Sequence, residues 1–251
     1  MIRVRFALPL LAAFAVFAAV PATAQDSSSK RKPLDGEVIG SEAFLGAHPD
    51  LKYRLLGLDR YAKGDFTRAL EDFRRAARYG DKPAQGMIGE MHWKGEGVAV
   101  DRALAYAWMD IAAERGYPLL LAKRERYWGQ LDETERARAV EVGTGMYTEF
   151  GDPAAKPRLE RLLRNARRST TGSRVGSVGA LTIFIPTPGG MRQVDGSTFY
   201  QDKYWKPEQY WTWQDHDWKA PPRGEVSVGE ILTDTRTVLP DDDAPAGDPP
   251  R

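Results

Sequence analysis

The chain has no cysteine, three histidines and no excess of either charge. Without cysteine there is no disulfide, no thiolate nucleophile, no thiolate metal site and no acylated lipoprotein cysteine. Three histidines leave little for metal-centred chemistry. Thirty-six Lys and Arg against thirty-five Asp and Glu give a net charge of +1, so no global field recruits nucleic acid. What is present is ordinary: 251 residues, 42% hydrophobic and 28% charged, enough to bury one or two cores and too apolar to be disordered throughout.

Long hydrophobic runs are also scarce. Arg3 and Arg5 precede an apolar stretch from Phe6 to Val20, followed by Ala22-Thr23-Ala24. A basic start, a short apolar stretch and small residues at −3 and −1 are the pattern of a cleaved secretory signal peptide over residues 1–24. Interrupted by Pro9, the stretch falls short of the ~20 residues a membrane span needs. The expected product starts at Gln25, carries a net charge of −1, has no membrane span and is secreted or periplasmic.

Residues 25–40 lack helical periodicity and are expected to be a flexible leader. From Asp50 to about Ser169, apolar residues recur at helical spacing between aspartates and glycines. Asp50, Asp65, Asp81, Asp101, Asp132 and Asp152 suit helix starts, where a carboxylate accepts an unpaired backbone N–H at the positive end of the dipole. Glu135, three residues after Asp132, completes a capping-box spacing. Gly64, Gly80, Gly95, Gly116 and Gly151 suit helix ends. The spacing predicts helices near 50–63, 65–79, 82–94, 101–115, 117–129, 132–150 and 153–168.

The segments repeat. Ala76-Ala77 returns as Ala112-Ala113 after 36 residues, and Arg68-Ala69-Leu70 as Arg102-Ala103-Leu104 after 34. A two-helix period of that length signals an α/α solenoid, and the alanine pairs leave room for close helix approach. Leu56-Gly57, Tyr61, Gly64-Asp65-Phe66, Ala69, Phe73 and Ala76 stand at tetratricopeptide spacing. Ile88-Gly89-Glu90-Met91-His92, Gly95-Glu96-Gly97-Val98, Asp101, Ala103, Ala107-Trp108 and Ala112 to Gly116 resemble one complete Sel-1-like repeat. The chain is thus similar to secreted bacterial Sel-1-like proteins over residues 50–117. His92 departs from that pattern, which usually has tyrosine there, and residues 117–150 keep the helices but lose the motif. The resemblance implies an all-α, right-handed superhelix over residues 41–169 that presents a concave surface to other proteins, and no catalytic residue.

The last helix of this domain, 153–168, carries a local charge of +5. It is expected to cap the solenoid with a polar outer face; the alternative is a patch for anionic glycans, lipid headgroups or an acidic partner. Residues 170–231 then combine a Gly-rich linker with strand-like runs at 180–185 and 191–194, expected as a short β-hairpin within an extended tail. Residues 232–251 are acidic, Pro-rich and expected to be disordered.

Within that tail, Phe199 to Trp218 holds eight aromatics in twenty residues. Tyr204, Trp205, Tyr210, Trp211 and Trp213 are a candidate docking surface, since such rings stack on sugars and clasp peptides. The other reading is that the rings pin an irregular segment to the solenoid. Asp215-His216-Asp217 is read as a solvated turn, because three consecutive residues do not readily converge on one ion. His48-Pro49-Asp50 reads as a capping segment and His92 as a packed histidine. No nucleophile is paired with a base, and no catalytic residue, cofactor or metal ligand is assigned.

The expected function is non-catalytic binding of a protein partner by a monomeric envelope scaffold. First helices of each pair would line the groove, with Arg54, Asp59, Arg60, Glu90, His92 and Trp93 as candidate partner-binding residues. The alternative is an envelope glycan reader in which Trp205, Trp211 and Trp213 stack on sugar. A third expectation is that the tail fills the groove and blocks it.

Overall fold

A computed structural model describes residues 33–170, 181–187 and 190–220. The expected signal peptide, the first part of the leader, the Gly-rich linker at 171–179 and the acidic tail at 232–251 lie outside the described residues. The chain forms an α/α solenoid with a small two-stranded sheet. Helices α3 (Pro49–Ala62) and α4 (Phe66–Ala77) make the first pair, α5 (Lys82–Lys94) and α6 (Arg102–Ala113) the second. Helices α7 (Pro118–Gln130) and α8 (Glu133–Phe150) follow, both packed on α6, before α9 (Asp152–Thr170).

The helix ends follow the predicted chemistry. Asp81, Asp101 and Asp132 accept from the backbone N–H of Ala84, Leu104 and Glu135 at 2.8, 3.0 and 2.8 Å, and Glu135 reaches back to the Asp132 N–H at 3.0 Å, a complete capping box. Gly64, Gly80, Gly95 and Gly116 take positive φ as their segments end. Gly151 does not: its φ is −64°, because the chain turns in an extended conformation directly into α9. Asp50 does not cap α3 either; it lies inside the first turn and is buried.

Small residues set the approach of the helices. Ala69, Ala76, Ala77, Ala84, Phe73, Ile88 and Met91 are buried in one cluster between the first and second pairs. A Cβ on Gly57 would stand 2.6 Å from the ring of Phe73. Gly97, at φ +69°, brings its turn against the backbone of Phe66, 2.7 Å from where a Cβ would lie. That close contact docks the looser turn of the second pair onto the start of α4.

Two expectations for the ends of the domain are corrected. Order begins before Ser41: α1 (Pro33–Gly40) and α2 (Glu42–Ala47) are helical, with Val38 and Phe44 buried. The aromatic segment is helical as well, as α10 (Gly196–Phe199), α11 (Asp202–Trp205) and α12 (Pro207–Lys219). Strands β1 (Thr182–Thr187) and β2 (Gly190–Asp195) form the expected antiparallel hairpin, with Ile183 opposite Val194 and Ile185 opposite Arg192.

A hairpin alone is marginal in water. Here Ile185 and Val194 share a buried cluster with Val38, Phe44 and Leu51 from the N-terminal helices and Phe199, Tyr204 and Trp205 from the aromatic segment. Periodicity at 33–47 is weak because these helices are short, and their partners lie some 150 residues later. Helix α9 is the junction. It packs on α8 and also against α2, α11 and α12, so its Leu159 and Leu163 are covered by Tyr210 and Trp211 and it is no terminal cap. Among the described residues, no helix is long and apolar enough to cross a membrane.

Candidate functional site

Helix α12 lies across the solenoid through a buried polar seam. Tyr210 donates its hydroxyl to the Asp50 carboxylate, and Gln214 Nε2 donates to the Tyr210 hydroxyl at 3.2 Å. Arg54, one turn after Asp50, pairs with Asp81 at the start of α5, at 2.8 Å. Burial pushes the Asp50 carboxyl up, against the Tyr210 hydrogen bond and the Arg54 charge. Burial likewise pushes Asp81 up to about 6, with Arg54 opposing and Asp50 reinforcing. Further along α12, Asp215 accepts from the Tyr117 hydroxyl at 2.8 Å, and the Trp218 ring lies 5.7 Å from the Arg54 guanidinium.

A second network ties α5, α6 and α9 together. The Lys82 side chain is fully buried and reaches Glu114 at 2.7 Å, Asp152 at 3.1 Å and the Ile111 carbonyl at 3.0 Å. Arg115 grips Asp152 through two nitrogens, both at 2.8 Å, and lies 4.5 Å from the ring of Trp211. Burial alone would raise the Asp152 carboxyl; Arg115, Lys82 and Lys156 outweigh it and hold the group well below the usual carboxylate range. Burial lowers the Lys82 ammonium, against the pull of Asp152 and Glu114. These are structural ion pairs, strong only while every partner stays in place.

Beyond Trp218 the solenoid opens into a pocket of about 330 Å³ between α3, α5 and α7. Its apolar wall is Leu58, Pro83, Met87, Leu119 and Leu120; Arg54, Glu90, Tyr117 and Lys123 supply the polar groups, and Trp218 completes the lining. Glu90 is ion-paired with Lys123 and with Lys94, and Arg54 with Asp81. Each of the pocket's three charges thus has an ion-pair partner, and the apolar wall is open to solvent: Leu58 is 42% and Leu119 62% exposed. Such a site suits apolar side chains framed by a few polar contacts.

Of the six residues expected to bind a partner, only Arg54 and Glu90 reach this pocket. Asp59 is exposed and pairs with Lys63 at 2.6 Å. Arg60 pairs at 2.6 Å with the buried Asp72 of α4 and so joins the first pair. His92 is buried, 3.5 Å from Arg74. Trp93 stacks on Tyr127 with centroids 4.0 Å apart. Asp59, Arg60, His92 and Trp93 are therefore spent on the fold or on another face, because a helix turns most of its side chains away from any single surface.

The aromatic docking surface is also corrected. Tyr204, Trp205, Tyr210 and Trp211 are buried, and Trp213 is half-buried against Tyr204 and Tyr210. The rings face the helices and replace a core the short segment cannot build for itself. His48 stands between α2 and α3 at the cap position expected of it, without a side-chain bond to the start of α3; its two ring nitrogens lie 2.8 and 2.9 Å from the carbonyls of Phe44 and Tyr204. Asp215, His216 and Asp217 lie on α12 rather than in a turn. Among the described residues no three His, Asp or Glu side chains converge as a metal set.

The sequence matches no protein-family model, and no curated protein is similar to it. One solved structure is similar: c5321, a protective antigen present in uropathogenic Escherichia coli strains displaying an SLR fold. The likeness has 24% identity over 45% of this chain and 25% of that one, with a TM-score of 0.39; the chain thus spans about a quarter of that protein's length. Sequence reasoning missed Leu58, Met87, Leu119, Leu120, Lys123, Tyr117 and Trp218. One signal was present: Pro118 to Leu121 and Met87-Ile88 place adjacent apolar residues on helices, more than one buried face can take.

Proposed function

We propose that the protein is a non-catalytic scaffold of an exported compartment that binds a partner protein by taking its apolar side chains into the α3/α5/α7 pocket. The observation that carries this reading is the exposed apolar wall on the first helices of three successive pairs, with its charged groups already paired. The acids of the two networks support the non-catalytic part: Asp50, Asp81 and Asp152 are each engaged in holding helices together. The exported location rests on the Arg3, Arg5 and Ala22-Thr23-Ala24 pattern, and N-terminal sequencing of the cellular protein should return Gln25 as the first residue. Of the three rings of the glycan alternative, Trp205 and Trp211 are buried and Trp213 is half-buried, which favours the protein-binding reading.

The test uses the full chain as bait in envelope extracts, in parallel with Leu119→Glu and with Val140→Glu on α8 as the exposed control. A partner retained by the parent chain and by Val140→Glu, and lost with Leu119→Glu, is the expected result. Retention by all three would place binding elsewhere.

A further inference from the structure

The chain continues past the pocket. Trp218 lines the pocket, and α12 ends one residue later at Lys219, so the described chain ends beside the pocket. Residues 221–251 follow. Their apolar residues are concentrated near the exit, with Val226, Val228, Ile231 and Leu232 interspersed with Glu225 and Glu230.

We propose that the pocket is a docking site in cis for residues 225–234, with Ile231 and Leu232 as the side chains that enter it. Reach is no obstacle. Trp218 lines the pocket and stands shortly before Glu225 in the chain, and a random coil of ten residues spans roughly 17 Å. A short tether holds the segment at an effective concentration on the order of millimolar, so a contact too weak to hold a free peptide is still populated within one chain. The wall is apolar, with Leu58 and Leu119 exposed on it, and the segment offers four aliphatic side chains to it. Any partner must then displace the segment. This regulation rests on the reading of the pocket as a protein-binding site; the cis contact itself does not.

The absence of cysteine makes disulfide trapping in the full chain clean. Leu119→Cys and Leu232→Cys are introduced together and oxidised under mild conditions, with and without Val226→Glu, Val228→Glu and Ile231→Glu in the same chain. Leu119 is exposed, so its replacement leaves the fold intact, which an unchanged melting temperature checks. Cis docking predicts intrachain trapping at least tenfold faster without the glutamates. Equal rates mean diffusive encounter and overturn the proposal, as does trapping between singly substituted chains that outpaces the intrachain reaction. Partner capture separates the two readings. Fast trapping with no partner retained by any variant leaves the cis site standing and removes the scaffold; slow trapping with Leu119-dependent capture does the reverse.

Discussion

The hydroxyl of Tyr210 donates a hydrogen bond to the carboxylate of Asp50, joining two helices 160 positions apart in the chain. Both groups are buried, and the other Asp50 oxygen has no partner. Tyr210→Phe keeps the ring and leaves this carboxylate without its donor, so it should destabilise the protein by about 1–3 kcal/mol. Tyr210→Ala also removes the ring packed with Leu159, Leu163 and Trp211 and should cost roughly 3–5 kcal/mol. Urea unfolding of the two variants separates the hydrogen bond from the packing. Equal losses would mean the ring packing contributes nothing, and no loss in Tyr210→Phe would mean the same of the hydroxyl.

Asp81 makes stability depend on pH in an unusual direction. Its ordinary value is 3.8, and burial raises it in the folded protein to about 6. Between those values the folded state holds a proton that the unfolded chain gives up, so the contribution is full below about pH 4 and is lost as pH rises through about 6. The loss is on the order of 3 kcal/mol. Asp81→Asn does not titrate, and its amide oxygen still accepts from the Ala84 N–H, since Asn caps nearly as well as Asp. The stability difference between variant and parent should therefore move in the variant's favour by that amount from pH 4 to pH 7. A difference that stays flat would show that Arg54 keeps the Asp81 carboxylate fully ionised throughout.

The solenoid was legible in the sequence because its determinants are local. An aspartate three residues before the N–H it accepts, or a glycine at the end of its own helix, leaves its mark within one turn of chain. The seam was not legible, because Tyr210 with Asp50, Asp215 with Tyr117, and Trp211 with Arg115 are paired across about a hundred residues or more without periodicity. Asp50 and Asp152 illustrate the failure: each stands where a cap would, and each is used by a distant element. The pocket was half legible. First helices were the right place to look, but whether Arg54 or Asp59 faces the pocket depends on a rotation that only packing fixes.

Lys82 is a buried cation whose environment was built around it. Its partners Glu114 and Asp152 are themselves partly exposed and keep Tyr147, Arg115 and Lys156, so replacing Lys82 does not strand them completely. Lys82→Met should cost roughly 3 kcal/mol, the lower end of the range for breaking a buried ion pair from one side. Adding Asp152→Asn should deepen that loss, because the buried Arg115 guanidinium then loses the carboxylate it grips. Thermal melts of the single and double variants at one pH provide the check.

Gly97 and Gly116 both hold positive φ, +69° and +72°, but only one is enclosed. A Cβ at Gly116 meets nothing within 4 Å, whereas at Gly97 it would stand 2.7 Å from the backbone of Phe66. Gly116→Ala should thus cost only the left-handed conformation, roughly 1–2 kcal/mol. Gly97→Ala bears that penalty and must also push its turn off the start of α4, because backbone cannot rotate aside as a side chain can. It should lose at least about 2 kcal/mol more than Gly116→Ala, and hydrogen exchange in the first turn of α4 should rise with it. If the two alanine variants unfold at the same urea concentration, the docking of this turn on Phe66 contributes nothing to the union of the first two helical pairs.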